Sequence, residues 1–193
     1  MRGNLTKKLI DRLGLEGPRP QTYALGIKEL WELPPDRVTP GHVVHTLGYP
    51  LRNEEFGGGF IYALPEGRIA VGFVAGLDYR DPLFDPHMAF QRFKQHPLVS
   101  TTLAGGEMVR YGAKALPEGG WYTVPRCHFD GGLIVGDAAG FLNSMRLKGI
   151  HLAMKSGIYA ADAAIEAVRA GDVSASKLSM FQQSINAGSL RRE

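Results

Sequence analysis

Residues 132–157 have the sequence GLIVGDAAGFLNSMRLKGIHLAMKSG, in which an apolar run ends at a Gly-Asp pair and a second one begins at Gly149. The first run predicts a short buried strand, and the second a helix without a hydroxyl or amide cap. Such a strand would place Asp137 at the carboxyl edge of a sheet, where a carboxylate can bind sugar or polyol hydroxyls. The free N–H groups after Gly149 would face the same crevice and favour a phosphate or an electron-rich ring edge. Alternatively, Asp137 only caps a turn and Gly149 only permits close packing.

Most of the chain around this unit has the alternating pattern of half-buried strands. Pro65-Glu66-Gly67 lies between two of these runs and predicts a hairpin. No G-x-G-x-x-G motif follows a strand, so the strand-turn-helix unit at 132–157 lacks its usual parallel neighbours. We therefore expect an α+β fold, in which a mixed, mainly antiparallel sheet is joined to an incomplete α/β remnant. The predicted strands cover 21–33, 41–51, 59–77 and 107–126, and the predicted helices cover 5–13, 86–103, 150–170 and 174–186.

The helix over 150–170 has the clearest periodicity in the chain. One face of it carries an apolar stripe, the pattern of a helix that packs through that face. The stripe consists of Ile150, Met154, Ile158, Ala161, Ile165 and Val168. In the helix that follows, Leu178, Phe181 and Ile185 are predicted to point inward.

Composition excludes several classes of protein. The 193 residues carry a net charge of +3 that is spread along the chain, which does not indicate a nucleic-acid-binding face. Cys127 is the sole cysteine, so this chain contains neither an internal disulfide nor a multi-cysteine cluster, and an inert packed thiol is expected. His42 and His45 have no second ligand pair, so no metal site is predicted. No run of 18 apolar residues is present.

The segment GDAAGFLNSMRLKGIHLAMKSG resembles the second flavin-binding motif of glutathione-reductase-type flavoproteins. Further blocks narrow the resemblance to the electron transfer flavoprotein-ubiquinone oxidoreductase family. They include GHVVHTLGYPL, GGGFIYAL, VGFVAGLDYRDPLFDP and GGEMVRYGAKALPEGGWYTVPR. Together the blocks cover nearly all of residues 2–170 in collinear order.

This resemblance implies an FAD-dependent oxidoreductase that passes electrons from electron transfer flavoprotein to ubiquinone, with a 4Fe-4S cluster in the relay. It also implies attachment to a membrane surface without spanning it, at the cytoplasmic face of a bacterial inner membrane or at the mitochondrial inner membrane. The family's dinucleotide fingerprint and cluster cysteines are not found in this chain, which is therefore expected to be a central fragment and inactive alone. The implied domains are a helical connection from the FAD domain at 1–20, a ubiquinone-binding-like domain at 21–126, and the C-terminal part of the FAD domain at 127–193.

The resemblance also assigns site residues, although it identifies no catalytic residue. Phe56, Gly57 and Gly58 match the segment whose backbone lies against the quinone head group. The alternative for these glycines is a plain loop that leads into a strand. The residues that match the flavin site are Gly136, Asp137, Gly140, Phe141, Leu142, Asn143, Gly149, Ile150 and His151.

Two other functions remain open at this point. One is a geranylgeranyl-reductase-like or hydroxylase-like flavoprotein fragment, against which the HTLGYPL and GGGF blocks argue. The other is a non-catalytic module that docks a quinone or a lipid and binds no flavin.

Overall fold

The computed structural model describes residues 3–193, which form two compact units. One unit is Ala24–Ala115, and the other combines the described residues up to Tyr23 with Leu116–Glu193. The predicted 1–20 and 127–193 segments therefore belong to a single unit. The assignment of these parts to quinone and flavin domains stays a prediction. No helix within the described residues is long and apolar enough to cross a membrane.

Helices and strands alternate irregularly along the chain. The helices are α1 (Thr6–Leu13), α2 (Pro86–Gln95), α3 (Pro97–Leu103), α4 (Gly136–Ala139), α5 (Ile150–Arg169) and α6 (Ala175–Ala187). The strands are β1 (Tyr23–Glu32), β2 (Val43–Leu47), β3 (Gly57–Leu64), β4 (Arg68–Gly76), β5 (Glu107–Pro117), β6 (His128–Phe129) and β7 (Gly132–Leu133).

A five-stranded sheet with the order β2-β3-β4-β1-β5 forms the first unit. The pairs β2–β3, β3–β4 and β4–β1 are antiparallel, which confirms the predicted mainly antiparallel sheet. The predicted hairpin joins β3 to β4. Its turn holds Glu66 and Gly67 at φ values of 64° and 70°, in the left-handed region that glycine adopts most easily.

Helices α2 and α3 pack on one face of this sheet. Ile69, Val71 and Phe73 alternate along β4 and are buried, as the period of a strand requires. The rings of Phe73 and Phe93 have centroids 5.6 Å apart. A Cβ at Gly59 would collide with the Phe93 ring, so the glycine lets α2 approach β3. The core of this unit therefore lies between α2 and the sheet.

A buried ion pair joins α2 to β1 inside this core. Lys94 Nζ lies 2.7 and 2.9 Å from the two carboxylate oxygens of Glu29, whose residue is only 5% exposed. Trp31 Nε1 donates to the same carboxylate at 2.9 Å. Because each charge has a close partner, their attraction offsets much of the cost of desolvating them, and the pair fixes the position of α2 on the sheet.

In the second unit, α5 packs through a face that differs from the predicted one. Its buried residues are Leu152, Ser156, Ala160, Ala163 and Ala167. The predicted stripe was wrong as a packing face, since each of its residues is exposed. Ile150 is 80% exposed and Met154 66%. The small side chains allow α5 to lie close against its neighbours, whereas the larger ones point to solvent. The prediction that α6 points Leu178, Phe181 and Ile185 inward is confirmed, because all three are buried.

The predicted strand at 132–136 is shorter than expected. Gly132–Leu133 forms β7, which pairs with β6 in an antiparallel two-stranded ribbon. Ile134 is buried, and Gly136 already begins the single turn of α4. Within the described residues no parallel strand pairs with β7. Asp137 therefore follows a short antiparallel ribbon instead of the edge of a parallel sheet.

The two faces of α5 should respond differently to truncation. We expect Leu152→Ala to lower the free energy of unfolding by about 2–4 kcal/mol, since it empties a buried site. Met154→Ala should change it by less than about 0.5 kcal/mol, because that side chain is already in solvent. Urea denaturation followed by circular dichroism would measure both variants. Equal losses would contradict the assignment of the packing face.

Candidate functional site

The loop that carries Asp137 is anchored to α5 by a buried serine. Gly136 N donates to Ser156 Oγ at 2.9 Å, and Ser156 Oγ donates to the Ala153 carbonyl at 2.7 Å. Ser156 is completely buried, and Gly136 has a φ of 60°, in the left-handed region. The serine thus satisfies an N–H that would otherwise be buried without a partner.

Asp137 lies beside the first turn of α5, as the sequence predicted. A Cβ built on Gly149 would be 3.5 Å from Asp137 Oδ1 and only 2.6 Å from Leu142 Cδ1. Gly149 is the N-cap of α5 and offers no side-chain cap. The glycine therefore brings a carboxylate and a helix N-terminus together, although their role toward a ligand stays a prediction.

The segment between α4 and α5 forms a closed loop. Asn143 and Lys148 exchange backbone hydrogen bonds of 2.8 and 3.1 Å, and Asn143 Oδ1 accepts from Arg146 N. Phe141 is buried, whereas Gly140 has a φ of 87°. A cavity of about 170 Å³ adjoins this loop and is lined by Gly140, Phe141, Leu142 and Asn143, together with Trp121 and Leu152.

The last residue of the chain contacts the start of α5. His151 Nε2 lies 2.6 Å from Glu193 Oε2, and Asn143 Nδ2 donates to the Glu193 carbonyl at 2.6 Å. Ile150, by contrast, is largely exposed. Two of the predicted flavin residues are therefore joined through Glu193.

Sequence reasoning missed a second carboxyl group at this site. Glu118 N donates to the Thr22 carbonyl at 2.8 Å, and the Glu118 carbonyl accepts from Ser144 Oγ at 3.1 Å. Glu118 Oε2 is buried and has no hydrogen-bond partner among the described residues. Burial, and after it the charge of Asp137, raises the pKa of Glu118 to about 6. The only sequence signal is the Pro-Glu-Gly-Gly run, which lies within the predicted strand region 107–126.

The predicted quinone segment lies in the sheet of the first unit. Gly57 and Gly58 are the first residues of β3 rather than part of a loop, and Phe56 precedes them in an exposed position. A Cβ at Gly57 would collide with the Val74 carbonyl, and one at Gly58 with the Thr46 carbonyl. Close neighbouring strands therefore require both glycines whether or not a ligand approaches them.

A cavity of about 190 Å³ adjoins Phe56, and its wall differs from the apolar groove expected for a quinone. Its lining includes Arg52, Glu54, Glu55, Asp78, Arg80 and Asp81. Arg52 pairs with Asp81 at 3.8 Å, and Phe56, Tyr79 and Phe84 also belong to the lining, so the cavity is a charged and aromatic one rather than a purely apolar groove.

Cys127 is a packed thiol, as predicted. It is fully buried, and its Sγ lies 3.1 Å from the Pro125 carbonyl. Burial raises the pKa of this thiol to about 12, so the reactive thiolate is strongly disfavoured.

Comparison with protein families matches residues 23–116 to the model described as "ETF-QO, ubiquinone-binding". The chain belongs to the electron transfer flavoprotein-ubiquinone oxidoreductase family. It is 48% identical over 166 residues to a probable mitochondrial oxidoreductase of this name from Schizosaccharomyces pombe, covering 86% of this chain and 26% of the relative. A Caenorhabditis elegans relative is 46% identical over 171 residues, covering 87% of this chain and 28% of the relative. The chain thus spans little more than a quarter of these relatives.

Solved structures support the fold. A geranylgeranyl bacteriochlorophyll reductase-like protein from Thermoplasma acidophilum matches with a TM-score of 0.67 and 20% identity, covering 86% of this chain and 39% of the other. A flavin-dependent brominase matches with a TM-score of 0.62 and 20% identity, covering 94% and 46%. At these identities the likeness extends to the fold alone.

Removing the Ser156 hydroxyl should loosen the Asp137 loop of this family member. We expect Ser156→Ala to lower the free energy of unfolding by about 1–2 kcal/mol, because Gly136 N loses its buried acceptor. Ser179→Ala is the matched control, since Ser179 also donates to the carbonyl three residues earlier but is only half-buried. Its loss should stay within about 0.5 kcal/mol. Equal unfolding curves for the two variants would contradict the anchoring role.

Replacement of Glu118 should reveal its raised pKa. The folded carboxyl holds its proton up to about pH 6, compared with 4.5 when unfolded, so its ionisation destabilises the fold as the pH rises through this range. Glu118→Gln should therefore be more stable than the wild type at pH 8 and equal to it at pH 4. The full linkage of about 2 kcal/mol reduces to about 1 kcal/mol for a partly exposed side chain. A difference that does not change between these pH values in urea titrations would contradict this prediction.

Proposed function

We propose that this chain supplies the quinone-binding domain and the second half of the FAD site of an oxidoreductase that passes electrons from electron transfer flavoprotein to ubiquinone. The observation that carries the proposal is the match of residues 23–116 to a ubiquinone-binding domain. The close approach of Asp137 to Gly149 supports the flavin part. The proposed site residues are those named from the sequence: Phe56–Gly58 for the quinone, and Asp137 with the loop and helix start around it for FAD.

The residues around Asp137 fit a flavin nucleotide. A carboxylate suits the hydroxyls of a ribityl chain, and the buried Glu118 Oε2 has no hydrogen-bond partner within residues 3–193. The uncapped N–H groups after Gly149 stabilise negative charge beside them. When bound, FAD would supply the electron-carrying ring, and these groups would bind it and orient it.

The wider setting is proposed from the family. Electron transfer flavoprotein would be the electron donor, and a 4Fe-4S cluster would be held by another part of the enzyme, since Cys127 is the sole cysteine here. The enzyme would lie on a membrane surface, either the mitochondrial inner membrane or a bacterial inner membrane. The C. elegans relative carries the description "mitochondrial" in its name.

A segment exchange tests the proposal. In the Saccharomyces cerevisiae relative, the 168 aligned residues, 27% of that protein, would be replaced by the matching part of this chain. We expect the chimaera to reduce ubiquinone-1 with reduced electron transfer flavoprotein as donor. FAD absorbance would show that the chimaera is assembled. A flavin-loaded chimaera that accepts electrons but leaves ubiquinone-1 oxidised would overturn the quinone role.

The chain by itself should bind FAD weakly or not at all. It contains no G-x-G-x-x-G turn to hold the pyrophosphate, whose contacts normally supply much of the binding energy. Equilibrium dialysis against FAD, followed at its visible absorbance, would measure the affinity. A purified chain that remains yellow after extensive dialysis would contradict this expectation.

A further inference from the structure

The sheet face opposite α2 carries a group of aromatic and apolar side chains. Odd-numbered residues of β3 point to α2, because a Cβ at Gly59 would meet Phe93. Even-numbered residues of β3 and their partners in β2 therefore point the other way. We call this set the open face: Val43, His45, Leu47, Phe60 and Tyr62, in the register Val43↔Tyr62, His45↔Phe60 and Leu47↔Gly58.

Glycines make part of the open face flat. The Phe60 ring lies across Gly72 in the next strand, where a Cβ would collide with it. Gly58 lies between Leu47 and Val74 and presents only backbone there, because a Cβ at this position would meet the Thr46 carbonyl. Leu47 itself is 86% exposed. A planar group can thus approach the backbone at Gly58 with apolar side chains beside it.

The open face also contains a hydrogen-bonding pair. Tyr62 Oη lies 3.3 Å from His45 Nε2, and their rings meet edge to face with centroids 5.5 Å apart. The Phe60 and Tyr62 rings have centroids 4.7 Å apart. Burial raises the pKa of Tyr62, so its hydroxyl keeps its proton and can donate.

We propose that the open face holds the quinone head group, with the Tyr62 hydroxyl donating to a quinone carbonyl oxygen and His45 positioning that hydroxyl. This inference rests on the proposed function and adds residues that the family resemblance did not assign. In the tautomer with a proton on Nε2, His45 donates to the Tyr62 oxygen and leaves the phenolic hydrogen for the ligand.

The chemistry of the ligand favours this face over the cavity beside Phe56. A quinone ring is planar, accepts hydrogen bonds at its two carbonyls and donates none. It therefore needs a donor within an aromatic and apolar surface, which is what Tyr62, Phe60 and Leu47 provide. The cavity beside Phe56 has charged walls instead.

Binding of ubiquinone-1 to this chain, measured by isothermal titration calorimetry, tests the donor. We expect Tyr62→Phe to weaken binding roughly five- to tenfold, the loss of one hydrogen bond. Tyr111→Phe is the matched control, since Tyr111 lies on β5 and is 81% exposed, and it should bind as the wild type does. Tetramethoxytoluene has no carbonyl groups, so its affinity should not depend on Tyr62.

Further variants test the face and the positioning role. Leu47→Arg should abolish binding, whereas Leu83→Arg, at a leucine that is 89% exposed elsewhere, should not. His45→Ala should weaken binding as much as Tyr62→Phe, and His45→Gln should restore most of it because its amide N–H can donate to the hydroxyl. Circular dichroism would confirm that each variant is folded.

The outcomes separate this inference from the proposed function. A wild-type chain that binds no ubiquinone-1 would overturn the quinone role itself, and the open face with it. Wild-type binding that survives both Leu47→Arg and Tyr62→Phe would overturn the open face alone and leave the quinone role intact. Loss in Leu47→Arg without loss in Tyr62→Phe would remove the proposed donor.

Discussion

The hydrogen bond from Gly136 N to Ser156 Oγ determines the geometry of the site around Asp137. The Ser156 hydroxyl in turn donates to the Ala153 carbonyl, and Ala153 N donates to the Gly149 carbonyl at 2.8 Å. A continuous series of hydrogen bonds thus joins the residue before Asp137 to the residue that begins α5. This is why the carboxylate and the helix N-terminus lie together although twelve residues separate them in the chain.

Local patterns predicted the elements well, but they did not predict which surface each element buries. The β3–β4 hairpin and α5 follow from turn residues and periodicity that lie within a few positions of each other. The packing face of α5 could not be chosen in this way, because the helix has two apolar stripes. The helix packs through its stripe of small residues, because Ala160 and Ala163 let its backbone lie closer to the neighbouring elements than Ile158 would. Ser156 and the alanines recur at helical spacing, so the size of the side chains indicates the packing face of α5 better than their hydrophobicity does.

The glycines of the two candidate sites also show that a local pattern does not identify the contact it serves. The Gly57-Gly58 pair indicated that something approaches the backbone closely, and the structure places neighbouring strands there. The sequence could mark a close approach but could not name the partner. Gly149 was more informative, because the Gly-Asp pair and the apolar helix beside it restricted the possibilities. Glu118 and the Glu29–Lys94 pair depend on contacts between residues far apart in the chain, so no local pattern could reveal them.

The charge at the site around Asp137 is set by opposing groups rather than by one residue. The first turn of α5 favours negative charge, while Asp137 opposes a second carboxylate next to it. Burial, and after it the charge of Asp137, raises the pKa of Glu118 to about 6, so this carboxyl can lose or keep its proton near neutral pH. Any negative charge brought close to it would raise that pKa further and favour its neutral form. The open face differs in kind, since its polar group is a neutral hydroxyl beside an imidazole. The two units thus offer different environments, one that adjusts its charge and one that presents a fixed donor on an apolar surface.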